Sequence, residues 1–152
     1  DLINQCLADQ VNSALEVPYD RDKPIRDALI ELGWAEGELM VSPCFMNLAR
    51  MVMSETIRDP ELAADMNARM TKLSIFAEFM ERATSDGRLS VQDPAVAAEQ
   101  FLGLIKSRSF FPNIYANRVA ERDEMDKIIN ESVDLFLAQY AAPETEAAKK
   151  SA

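Results

Sequence analysis

The sequence predicts an all-α protein of six amphipathic helices. Apolar residues recur at helical spacing almost throughout, no sustained period-two strand pattern occurs, and only four glycines are present in 152 residues. Sheet proteins need more turns than that. A chain of this length, 48% hydrophobic and 28% charged, has the composition of one ordinary folded domain with a real core.

The first helix is expected over roughly 1–17, with Ile3, Leu7, Val11 and Leu15 on one face and Pro18 stopping it. The second, roughly 22–40, starts near Asp22 with Pro24 in its first turn. It carries Ile25, Ala28, Leu29, Leu32, Ala35, Leu39 and Met40. Gly33 and Gly37 flank Trp34 inside it, and each glycine costs a helix about 1 kcal/mol relative to alanine. Close approach of another helix, room for a ligand, or an earlier helix end would each account for the pair. Ser42-Pro43 opens the third helix, roughly 43–57, with Ser as N-cap and Pro at the first helical position. Its apolar residues lie on nearly all sides, which predicts a central position.

Asp59-Pro60-Glu61 repeats the start signal for a long fourth helix, roughly 60–84. Its stripe is Leu62, Met66, Met70, Leu73, Ala77 and Met80, and Gly87 follows it at a left-handed position. Asp93-Pro94 starts the fifth helix, roughly 94–111, with Phe101, Leu104 and Ile105, and Pro112 ends or kinks it. The sixth, roughly 119–141, has a stripe wider than one neighbour needs: Met125, Ile128, Ile129, Val133, Phe136, Leu137 and Tyr140. One domain over 1–141 and a disordered tail over 142–152 follow from this pattern.

Charge and composition narrow the function. The net charge of −10 repels phosphate backbones, and no Lys/Arg cluster supplies a footprint for nucleic acid. With no histidine, the usual zinc sites and histidine acid–base catalysis are excluded. Nucleotide-binding and hydrolase motifs are absent, and acid pairs such as Glu36/Glu38 read as solvated surface. No metal, no cofactor and no enzyme activity is therefore expected. Cys6 and Cys44, on apolar helical faces, are expected to be buried thiols in a reducing compartment. No stretch of 18 apolar residues and no signal-peptide pattern occurs, which predicts a cytoplasmic protein with no membrane partner.

Seven of the eight methionines fall between Met40 and Met80. Thioethers fill irregular space and repack, so this cluster suits either a pocket for apolar ligands or an adaptable core. The expected pocket residues are Trp34, Met46, Met53, Met66, Met70, Leu73, Phe101, Ile105 and Arg108. Arg108 either faces an anionic ligand or pairs with a surface carboxylate; Arg50 is expected to pair with Glu55 or a carboxylate of the long helix. The fifth and sixth helices form the expected dimer interface, through Phe101, Leu104, Ile129, Val133, Phe136, Leu137 and Tyr140, with Gly103 permitting close approach. Two such helices from each of two chains make a four-helix bundle.

The stretch Leu48-Ala49-Arg50-Met51-Val52-Met53-Ser54-Glu55, followed by Arg58-Asp59-Pro60-Glu61-Leu62, resembles the middle of TetR-family C-terminal domains, in the AefR- or AcrR-like branch. Gly87-Arg88-Leu89, Asp93-Pro94 with Ala97-Ala98, Phe101-Leu102-Gly103-Leu104, and Val133 to Leu137 before Tyr140 extend the likeness in order over roughly 1–141. Asp1-Leu2-Ile3 is similar to the start of that family's connecting helix. The resemblance implies a six-helix TetR-type regulatory domain, a homodimer, and a small-molecule effector that allosterically controls DNA binding by an N-terminal helix-turn-helix. That module is expected upstream of Asp1, so the present chain is expected to contact no nucleic acid while the full-length repressor binds DNA. The alternative is a helical interaction or adaptor domain with a filled core. A histidine-free carboxylate enzyme is a further rival, and it requires two acids converging in a cleft.

Overall fold

The computed structural model describes residues 2–13, 18–69 and 72–143. Eight helical segments occur among them: α1 (Leu2–Ser13), α2 (Ile25–Met40), α3 (Pro43–Thr56), α4 (Pro60–Arg69), α5 (Lys72–Ser85), α6 (Pro94–Ser109), α7 (Phe111–Ala116) and α8 (Arg122–Tyr140). Among the described residues, β pairing is confined to one isolated bridge between Leu89 and Ala141. The fold is all-α. The fourth predicted helix corresponds to α4 and α5, which flank residues 70 and 71 outside the described set. Leu15, at the end of the first predicted stripe, and residues 144–152 of the predicted tail also lie outside it.

The start signals act as their chemistry requires. Ser42 Oγ accepts from Phe45 N at 3.2 Å, and Asp93 accepts from Ala95 N and Val96 N, satisfying amides that have no partner inside the helix. Gly87, at φ 71°, ends α5 while Arg88 N donates to Ala83 O at 2.9 Å. Two boundaries differ from expectation. Pro24 precedes α2 as its N-cap residue, and Pro112 lies in the first turn of α7, where its missing N–H costs nothing.

The central helix is α2, which packs on α3, α6 and α8. The third predicted helix is not central: α3 buries only Phe45, Met46, Ala49 and Val52, and Met51 is exposed. Its abundant apolar residues serve a partly open face instead. A second set of contacts joins α5 to α6 and α6 to α8. Leu29, Leu32, Met80, Phe101, Ile105, Met125, Ile129 and Phe136 are fully buried between these four helices or beside them, each contributing about 1.5–3 kcal/mol by burial. Phe101 packs edge-on against Phe136, with ring centroids 5.2 Å apart.

The glycine pair in α2 has its explanation in α8. A methyl group at Gly33 would lie 2.8 Å from Ile129 Cγ2, and one at Gly37 would lie 2.9 Å from Ile129 Cδ1. Close helix approach is therefore the reason for both. Helix α1 packs on α3 and α4 alone among the stronger pairings. Helix α4 buries none of its residues; Asn12 Nδ2 donates to Arg69 O at 3.3 Å, and Arg69 also reaches Gln5. Both cysteines are free and exposed, contrary to the expected burial, because the apolar faces of α1 and α3 turn Leu7, Val11, Phe45 and Ala49 inward instead.

Candidate functional site

Between α1, α3, α4, α5 and α6 lies a hollow of about 510 Å³. Leu7 and Val11 of α1 form one side, and Met40 closes the end of α2. Helix α3 contributes Phe45, Ala49, Val52, Met53 and Thr56; α4 contributes Met66 and Asn67; α5 contributes Lys72 and Leu73. Glu99, Leu102, Gly103 and Lys106 come from α6, and Phe110 and Phe111 follow it. The wall is mainly apolar with a few polar groups, the usual make-up of a small-molecule site.

Helix α6 shows why its cavity side was hard to read. Ala98, Phe101 and Ile105 are buried against the core, while Glu99, Leu102, Gly103, Lys106 and Phe110 face the hollow at the same helical period. Periodicity identifies both stripes but does not say which one borders empty space. Of the expected pocket residues, Met53, Met66 and Leu73 line the hollow. Met70 lies outside the described residues. Met46, Phe101 and Ile105 are fully buried in the core and do not border the hollow. Trp34 is half-buried beneath the Arg122 guanidinium, 4.8 Å from the ring centroid, away from the cavity. Arg108 pairs with Glu131 on the surface.

Arg50 has no carboxylate partner among the described residues. Its guanidinium donates to the carbonyls of Ile114 and Asn113, each at 2.9 Å, to that of Arg118 at 3.0 Å, and to Asn47. The end of α7 thus supplies the negative charge as helix-terminal carbonyls. Glu55, its expected partner, pairs with Arg58 at 2.7 Å.

Sequence reasoning missed a charged cluster at the α2–α5–α6 junction. Glu36, expected at the surface, is fully buried. Its Oε2 contacts Lys72 Nζ, and its Oε1 lies 3.8 Å from Lys106 Nζ. Neither carboxylate oxygen has a well-formed hydrogen bond, so the contact is held mainly by charge. Burial pushes the Lys72 ammonium below the ordinary lysine value; Glu36 opposes this and Lys106 adds to it. Glu36 sits on the same face of α2 as Leu29, Leu32 and Met40, a buried acid inside an apolar stripe. That pattern was the available signal.

A second, shallower groove of about 470 Å³ runs along the outer sides of α6 and α8, lined by Gln100, Gly103, Leu104, Ser107, Leu135, Phe136, Gln139 and Tyr140. The expected interface residues divide here. Leu104, Phe136 and Tyr140 line the groove, and Leu137 is half-buried against the core. Phe101, Ile129 and Val133 are fully buried within the chain, and Phe136 nearly so. The width of the α8 stripe is thus mostly consumed inside the monomer, by α2 and α6. Leu135, 61% exposed, is an outward residue that the sequence reading overlooked.

Among the described residues, no helix is long and apolar enough to cross a membrane. No curated protein matches the chain significantly. Solved structures do match. One is a TetR family transcriptional regulator from Pseudomonas syringae pv. tomato str. DC3000, 28% identical, with a TM-score of 0.78 over 92% of this chain and 73% of that one. Another, the flavonoid-responsive regulator FrrA, shares the fold at 20% identity, with a TM-score of 0.76 over 95% of this chain and 75% of that one. The family of AefR-like transcriptional repressor C-terminal domains matches residues 27–142. With three quarters of its length matched by that family and its helices superposing on a regulator of the same kind, the chain belongs to the TetR family of non-enzymatic transcription regulators, as an AefR-like C-terminal domain.

Proposed function

We propose that this domain binds a small, largely apolar effector in the α1–α3–α4–α5–α6 hollow and pairs with a second copy through α6 and α8. The observation that carries the reading is the hollow itself. About 510 Å³ of mainly apolar space stands open beside the buried core. Apolar walls left facing water forfeit burial and packing contacts; a ligand supplies them. A solved structure of the same fold is that of a flavonoid-responsive regulator, which supports a small-molecule occupant. Leu7 and Val11 place α1 in contact with any occupant. A ligand that fits better with one setting of α1 than another biases that setting, and this is how effector binding would control a DNA-reading head preceding α1 in a cytoplasmic bacterial repressor.

The test is thermal unfolding with a panel of apolar compounds. A ligand present at 100 times its dissociation constant adds about 2.7 kcal/mol of stability, or roughly 5–10 °C for a domain of this size. A panel that leaves the melting temperature unmoved rejects the effector site and favours a helical interaction domain.

A further inference from the structure

We propose that the effector carries one acidic group, a carboxylate or phenolate, which docks on the Lys72 and Lys106 ammonium groups where α5 and α6 meet the hollow. This rests on the effector-site reading above and specifies its chemistry. Both lysines line the hollow, whereas Glu36 behind them does not. Two cations thus share one buried carboxylate: Lys72 is in contact with it, and Lys106 stands 3.8 Å away. The local balance is one positive charge in excess, facing apolar walls. Glu99, the acid on the same wall, is solvent-exposed and pairs with neither lysine among the described residues.

A half-satisfied pair of cations beside a low-dielectric space favours an arriving anion, because much of the desolvation has already occurred on folding, nearly all of it for Lys72 and part of it for Lys106. Burial also depresses the Lys72 ammonium, and a second negative group would reverse that effect. The Lys106 ammonium lies 5.2 Å from the Phe110 ring centroid, which holds it against the wall of the hollow. An effector that combines an apolar body with one acidic end matches both parts of this site.

The experiment uses matched probes by isothermal titration calorimetry: 2-naphthoate against 2-naphthamide, and decanoate against decanol. The wild type is expected to bind each acid at least about tenfold more tightly than its neutral partner, the scale of one charge-assisted hydrogen bond. Lys106→Gln, at a partly exposed position, should reduce that preference about tenfold. Lys72→Met serves as a second variant. Neutral probes binding as tightly as the acids would overturn the acidic-group proposal while leaving the effector site standing. A preference that survives in both variants would do the same for the assignment to these lysines. If no probe of either kind binds, the effector site and this proposal fail together.

Discussion

Replacing the two α2 glycines separates helix propensity from helix contact. Gly→Ala inside a helix gains about 1 kcal/mol from propensity alone. Against this, the new methyl at position 33 would sit 2.8 Å from Ile129 Cγ2, when carbon atoms in good contact stand about 3.5–4.0 Å apart. Cγ2 is bonded directly to Cβ, and a β-branched residue in a helix has one strongly preferred rotamer, so the atom cannot swing aside. Overpacking of this kind costs about 1–3 kcal/mol. Gly33→Ala should therefore destabilise by about 1 kcal/mol net. Gly37→Ala meets Ile129 Cδ1 at 2.9 Å, Trp34 Cε3 at 3.0 Å and Met125 Cγ at 3.2 Å. Here the nearest atom is the end of the side chain, and Ile129→Val deletes it.

The cycle follows from that difference. Ile129→Val alone costs about 1 kcal/mol as a cavity mutation. Combined with Gly37→Ala it should show a favourable coupling of about 1 kcal/mol, whereas with Gly33→Ala the offending Cγ2 remains and the coupling should stay under about 0.5 kcal/mol. Urea unfolding at one fixed protein concentration measures all five differences with any mass-action contribution from self-association held constant. A Gly33→Ala variant more stable than the wild type by the full propensity gain would refute the claim that α2 and α8 touch at this point.

Leu135→Glu, on the outer side of α8, should leave the fold intact and give a monomer by light scattering; an unchanged dimer would move the interface elsewhere. Arg50→Met removes the donor to two carbonyls of α7 and to that of Arg118 beyond it and should cost about 2 kcal/mol, with faster amide exchange in α7 than in the wild type. The Arg122 guanidinium beside Glu38, through its hydrogen bonds, holds that carboxyl below the ordinary value of 4.5. Its folded pKa being the lower one, its contribution is complete above pH 4.5 and fades as pH falls through the folded value. Glu38→Gln should flatten the acid limb of a stability–pH curve.

Helix starts were legible because their causes are local. Ser42-Pro43 and Asp93-Pro94 carry a side-chain acceptor and a preset φ within two residues, and nothing distant overrides them. The family likeness was legible for the same reason, being mostly ordered punctuation. The site was legible only in part. Met53, Met66 and Leu73 announce an adaptable apolar wall, but Phe101 and Lys106 stand on adjoining stripes of one helix, and which stripe borders the hollow depends on where α1 and α3 stop. The Glu36 cluster escaped because an acid two residues from exposed Glu38 looks solvated until the third dimension brings Lys72 and Lys106 to it. Arg50 escaped because its partners are backbone carbonyls, which no sequence pattern displays.

Helix α4 forms a wall of the hollow with Met66 and Asn67, yet none of its residues is fully buried and Met66 is only half-buried against the core. With fewer fully buried side chains than α2 or α8, it is the segment of the hollow's wall expected to open at the lower free-energy cost. Under the proposed effector reading, α4 is the wall whose local opening would widen the hollow while leaving the α2–α5–α6–α8 core in place.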